Sequence, residues 1–303
     1  MSATASTTRA GTPPLRPMSK RRTVLEHVRE LASFRELLVN LTRKELTVRY
    51  QHSTLGFLWS MLQPVFLLVV YTAVFAILGA GFGKFSIWVL CGLLMWTFIS
   101  TTLLTATTSI TDNATLVGKV KFPRAVLPLA SVAGALVHLG LQSIALAGVL
   151  IVSRHSVDWA YMPLVPLAAL TAALVVAGLA VIVAPMNVYA RDTGHLLDLV
   201  VLGWFWATPI LYQFERAATT LENNGLSRWL QMANPFTPVV ITLQRAIYGS
   251  PTSIGDKRLV LLPDESVGWY AMWLVAISAI AVLVLAGALR FFDRAETNMA
   301  EAL

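Results

Sequence analysis

From Val24 to Leu41, apolar residues recur at Val24, Val28, Leu31, Phe34, Leu38 and Leu41. Spacings of three or four put them on one helical face, with Arg35, Glu36, Arg43 and Lys44 largely off it. An amphipathic interface helix is expected within residues 23–52, lying on a membrane surface because a span follows at once. Ser53, Thr54 and Gly56 break the pattern, and Trp59 stands where an interfacial anchor belongs. Apolar runs follow, and a span needs about 20 mostly apolar residues. Six are predicted: Phe57–Ala80, Ile87–Ile110, Ala125–Val152, Pro163–Tyr189, Leu196–Tyr212 and Trp269–Phe292. The expected fold class is an all-α integral membrane protein with a membrane domain over 53–303.

The loop from Gln213 to Gly268 carries two short apolar pieces, Trp229–Ala233 and Val239–Ile247, broken by Asn234-Pro235-Phe236-Thr237-Pro238. Neither piece is long enough to cross. They form a re-entrant helical hairpin entering the outer leaflet, or a pair of helices flat on the outer surface. Residues 1–22, rich in Ser, Thr, Pro and Arg, read as a disordered tail. Arg21-Arg22 is no twin-arginine export signal, because Glu26, His27, Arg29 and Glu30 follow instead of an apolar region.

Composition supports an integral membrane class. Hydrophobic residues make up 56% of the 303, charged residues only 13%, and mean hydropathy is +0.67; soluble domains are about a quarter charged. The net charge of +7 is not a nucleic-acid footprint, because the basic residues gather at membrane edges. With a cytoplasmic N-terminus, 16 of 23 Lys and Arg residues fall inside, and the short outer loops hold only Lys84 and Arg154. Both termini are therefore expected in the cytoplasm. The single cysteine, Cys91, leaves no internal disulfide and no cysteine-based metal site.

The spans lack the ionisable residues that ion-coupled transport requires. Spans one, two and four carry no charge, span three only His138 with Gln142, and span five Asp198 near its start. No phosphate-binding GxxxxGK[ST] loop exists, and Gly79-Ala80-Gly81-Phe82-Gly83 follows a membrane helix, not a strand. His155/Asp158 and Asp192/His195 are pairs, too few for a metal site and better read as caps and loop contacts. No nucleophile–base arrangement asks for catalysis, so no catalytic residue, metal or cofactor is assigned. Energy for uphill transport must come from another polypeptide, docking on Thr111–Arg124 or Tyr189–His195.

Five motifs carry a resemblance. They are Tyr50, Ser53, Leu55, Gly56, Trp59, Gln63 and Pro64; Lys121-Phe122-Pro123-Arg124 with Leu127-Pro128; Tyr189-Ala190-Arg191-Asp192 with Gly194-His195; Thr208-Pro209-Ile210-Leu211-Tyr212; and Asn234-Pro235-Phe236-Thr237-Pro238 with Arg245. In this order the chain resembles the ABC-2 permeases that export lipid-linked polysaccharides such as O-antigen, teichoic acid or galactan. The resemblance covers about residues 34–292.

It implies a half-transporter without an ATPase motif, in the bacterial inner membrane. Partners would be membrane lipids, a second copy, two cytoplasmic ATPase subunits carrying ATP and Mg, and a lipid-linked polysaccharide. ATPase coupling is carried over to Arg43, Lys44, Glu45, Lys121, Pro123, Arg124, Arg191, Asp192 and His195. The outer gate is carried over to Asn234, Pro235, Phe236, Pro238 and Arg245. A sugar ring stacks its C–H face on aromatic rings, so Tyr71, Phe75, Trp96, Trp204, Phe205, Trp206 and Tyr212 are candidates for a substrate path. Interfacial anchoring and bundle packing remain alternatives for each. Competing functions are a drug or lipid permease, a passive channel, and a membrane glycosyltransferase or ligase using Asp264 and Glu265.

Overall fold

The computed structural model describes residues 26, 29, 31, 33–50, 53, 56, 58–78, 85–120, 122–249, 252–254 and 257–302. The tail expected over 1–22 lies outside the described residues. The described residues form ten α-helices, α1 Arg35–Tyr50, α2 Leu58–Leu78, α3 Phe85–Thr108, α4 Ala114–Lys119, α5 Val126–Val152, α6 Leu164–Tyr189, α7 Asp192–Ala207, α8 Phe214–Asn223, α9 Thr237–Ile247 and α10 Val267–Ala302. A 3₁₀ turn covers Arg228–Ala233.

Among the described residues four helices are long and apolar enough to cross a membrane, over Phe85–Thr108, Val126–Val152, Leu164–Tyr189 and Val267–Glu296. They match predicted spans two, three, four and six. The chain is not purely helical: Thr252–Ile254 (β1) pairs antiparallel with Lys257–Leu259 (β2) inside the long loop. Two β-branched residues in β1 suit that ribbon. Predicted span five is displaced toward the N-terminus. Its helix, α7, starts earlier at Asp192, stops at Ala207 and gives way to an irregular stretch through Tyr212. Pro209 explains the stop, since it has no N–H to donate and disfavours helix at Thr208.

Helices α3 and α6 sit inside, while α5 and α10 turn much of their surface outward. Helix α6 pairs chiefly with α10 and also touches α3, α5, α7 and α9. Small residues let α6 and α10 approach. A Cβ on Gly178 would stand 3.2 Å from Val284 Cγ1 and 3.4 Å from the Leu285 backbone nitrogen. Thr171 Oγ1 and Ser278 Oγ add a hydroxyl contact of 2.9 Å between the same helices. Large apolar side chains such as Ile144, Val152, Leu199, Ile280 and Leu283 are exposed around the outside, as a lipid solvent requires.

The bundle has two distinct ends. One carries α1, the turn after α3 and the start of α5; the other carries the hairpin of the 3₁₀ turn and α9. At the α1 end, Leu41 (7% exposed) packs in a buried cluster with Ile110, Val117, Leu127 and Phe292. The apolar face of α1 thus meets the protein's own helices, chiefly α5.

Candidate functional site

At the α1 end the candidate coupling residues divide by what they touch. Arg43 is exposed. Lys44 Nζ donates to Asn113 Oδ1 at 2.7 Å, and Glu45 Oε1 accepts from Ser131 Oγ at 2.7 Å. These contacts edge a cleft of about 330 Å³ between α1, α3 and α5, lined also by Thr101, Thr105, Ser109 and Asp112. Lys121 lies outside the described residues. Pro123 is half-buried. Arg124 donates from Nη1 to the Glu296 carbonyl at 3.3 Å and from its backbone N–H to Glu296 Oε1 at 3.3 Å. Arg191, Asp192 and His195 are exposed around the start of α7, where Asp192 suits the positive end of the helix dipole. The Tyr189 hydroxyl donates to the Ala295 carbonyl.

The two candidate coupling loops are therefore both held by the far end of α10. Sequence reasoning missed Ala295 and Glu296 there. The available signal was polar sequence continuing past Arg290 at the end of span six.

At the hairpin end, Asn234 ties the 3₁₀ turn to the broken end of α7. Its Nδ2 donates to Thr208 Oγ1 at 2.8 Å and to the Ala207 carbonyl at 3.3 Å, while its Oδ1 accepts from the Phe236 N–H at 3.0 Å. Pro235 is half-buried, and Phe236 and Pro238 are buried. Every residue of α9 is buried, against α3 and α6. Gln244 Nε2 donates to the carbonyls of Pro209 and Ile210 at 3.3 and 3.4 Å, so α9 caps backbone that α7 leaves open. Asn234→Ala removes three hydrogen bonds and is expected to cost about 1–2 kcal/mol. A fall in thermal stability of the purified protein checks it.

Arg245 closes the same end. Its side chain is only 9% exposed and meets Asp158 Oδ2 at 2.9 Å. Its guanidinium lies 4.1 Å from the centre of the Tyr161 ring. The Tyr161 hydroxyl donates to the Glu265 carbonyl at 2.7 Å, and the Asp158 N–H donates to the Ala246 carbonyl at 2.9 Å. His155 stacks on Tyr248 and bonds the Ile247 carbonyl at 3.1 Å. The loop between α5 and α6 is thus bound to the tail of α9.

Three of the candidate path aromatics, Trp96, Trp204 and Phe205, form a packed cluster with Phe236 in this conformation. Trp96 is buried, with ring centres 5.7 Å from Phe205 and 6.2 Å from Phe236; Trp204 lies 4.9 Å from Phe236. Tyr71 packs against the core, and the Phe75 side chain lies outside the described residues. Tyr212 donates to the Trp206 carbonyl at 3.2 Å, and Trp206 keeps 61% of its surface exposed. Phe236, expected in the gate, is the hub of this cluster.

Comparison with known proteins fits this architecture. The family model described as "ABC-2 type transporter" matches residues 36–248, from α1 through the hairpin. The O-antigen export system permease protein RfbA of Myxococcus xanthus is 30% identical over 279 residues, covering 91% of this chain and 98% of that protein. Its namesake from Klebsiella pneumoniae is 26% identical over 214 residues, covering 68% and 78%. The family model over residues 36–248, with a 30% identical relative spanning 91% of the chain, fixes the assignment: the chain belongs to the ABC-2 type transporter membrane family.

Proposed function

We infer that this chain is the permease subunit of an ATP-driven exporter that moves lipid-linked polysaccharide from the cytoplasmic to the outer side of the bacterial inner membrane. The observation that carries this is the near full-length similarity to an O-antigen export permease. The chain supplies passage and coupling. Two copies of a separate ATPase subunit bind ATP and Mg and dock at the α1 end, on Arg43, Arg191, Asp192, His195 and the 121–124 loop.

In this reading α2 and α7 complete six spans, both termini are cytoplasmic, and the 3₁₀ turn with α9 is the re-entrant outer hairpin. The burial of α9 against two apolar helices supports that placement. Residues 1–22, 23–52 and 53–303 serve as tail, interface region and membrane domain. A second copy forms the other wall of the passage. The uncovered apolar side chains Phe66, Val69 and Ile77 of α2 and Leu199, Leu202 and Trp206 of α7 leave room for it. Opening between the copies would free Trp204, Phe205, Trp206 and Tyr212 for sugar rings.

Depletion of the chain in its native cell tests this. Full-length lipid-linked polymer should accumulate inside, shielded from a membrane-impermeant glycan-cleaving enzyme added to spheroplasts. Shortened polymer would instead place the chain in synthesis, and unchanged glycans would remove polysaccharide as the cargo.

A further inference from the structure

Glu45 occupies a place that an ATPase-docking residue does not need. It reaches into the bundle, where the Ser131 hydroxyl, itself 2% exposed, donates to its Oε1 at 2.7 Å. Gly134, three residues further along α5, makes the space. A Cβ built there would stand 2.9 Å from Glu45 Oε2 and 3.9 Å from Glu45 Cβ. The neighbouring Lys44 meets Asn113, just past α3, at 2.7 Å. On the same helix Leu41 packs into a buried apolar cluster, and the cleft of about 330 Å³ lies alongside.

Apolar contact resists separation, but it is non-directional and gives little resistance to sliding or rolling. A charge-assisted hydrogen bond fixes both distance and register. Drawing a carboxylate against the Ala130, Gly134 and Ala135 stretch of α5 costs desolvation that a leucine would avoid. Adhesion alone therefore does not account for a glutamate here. We propose that Glu45 is a positioning residue that locks α1 to α5 in one register, so that a push delivered to α1 moves α5 instead of sliding past it. Helix α5 packs on α3 and α6, so the displacement reaches the inside of the bundle. This rests on the reading of the chain as driven by an ATPase partner.

The test uses the whole complex, this chain with its ATPase, in proteoliposomes, with ATP hydrolysis and export measured on the same preparation. Glu45→Ala should keep hydrolysis within about twofold while export per ATP falls about tenfold, the scale of an ordinary coupling free energy. Glu45→Gln, which still accepts from Ser131, should retain most of the ratio. A fall of hydrolysis and export together, in step with lost protein or lost ATPase, would overturn the proposal in favour of a plain folding or docking role.

A covalent tie gives a second arm. The Cβ separation of 3.9 Å lies within the range of about 3.5–4.5 Å for a disulfide. Glu45→Cys with Gly134→Cys, in a Cys91→Ser background, should cross-link on mild oxidation. Oxidation should then restore the export per ATP that the reduced pair lacks. Failure to cross-link, or a cross-link that blocks export, sinks the register lock. Absence of ATP-dependent export by the unaltered complex would sink the exporter reading instead, leaving the cross-linking result to judge the contact.

Discussion

Asp158→Ala lowers stability by about 3–5 kcal/mol, the scale for stranding one member of a buried ion pair, and Arg245→Met lowers it by clearly less. The asymmetry comes from burial. The Arg245 side chain is 9% exposed and that of Asp158 is 31% exposed. Loss of Asp158 leaves a guanidinium beneath the hairpin with one nitrogen, Nε, already without a partner among the described residues. Loss of Arg245 leaves a carboxylate that turns to water, while methionine fills the space over the Tyr161 ring. The remaining loss, about 2–3 kcal/mol, is that of one charge-assisted hydrogen bond and the ring contact. Thermal denaturation in detergent, followed by the fraction of monodisperse protein, ranks the two variants. Equal losses, or the reverse order, would show that the pair acts through its charges alone and not through where they are buried. If the hairpin forms the outer gate, Asp158→Ala should also impair export at temperatures where the protein remains folded.

The apolar patterning was read correctly because it is local. Runs of span length predict α3, α5 and α6 to within two residues and the start of α10, which runs ten residues past its predicted end at Phe292, since lipid forces each to satisfy its backbone alone. The recurrence from Val24 to Leu41 reaches α1 only through Leu38 and Leu41, since α1 starts at Arg35. The contacts that position the candidate site are not local. Asp158 meets Arg245 across 87 positions, and Glu45 meets Ser131 across 86. One sequence without a fold offers no means to pair them. His155 and Asp158 read as caps or loop contacts, and the structure makes them loop contacts whose partners, Ile247, Tyr248 and Arg245, the sequence does not name. The early end of α7 had a visible cause in Thr208-Pro209. Its apolar flank hid that cause, because hydrophobicity continues through Ile210 and Leu211 after the helix has stopped. The aromatic residues show a different limit. A ring that stacks on sugar and a ring that packs on phenylalanine have the same composition. In this conformation Trp96, Trp204 and Phe205 are packed with Phe236.

The hairpin's seat on α3 depends on the lack of a side chain at Gly92, and a leucine there should unseat it. A Cβ at this position would lie 2.9 Å from Ile210 Cγ2, 3.3 Å from Ile210 Cα and 3.3 Å from Gln244 Nε2. Alanine needs a shift of a few tenths of an ångström. That strain opposes about 1 kcal/mol of helix propensity gained over glycine, so Gly92→Ala loses clearly less than leucine does. Leucine adds three carbons that must enter the space of Ile210 and Gln244, both fully buried. It is expected to cost about 3 kcal/mol, the upper part of the usual range for overpacking, and to break the bonds from Gln244 to the Pro209 and Ile210 carbonyls. Ile210→Ala alone opens a cavity and costs about 2–4 kcal/mol. Combined, the two changes exchange volume across one contact, so the double variant should be more stable than the summed losses predict by about 1 kcal/mol or more. Simple additivity would show that the two positions do not press on each other and that the hairpin is held elsewhere. Compensation in stability without recovery of export would show that the bonds from Gln244, and not the packing alone, keep the end of α7 in its working shape.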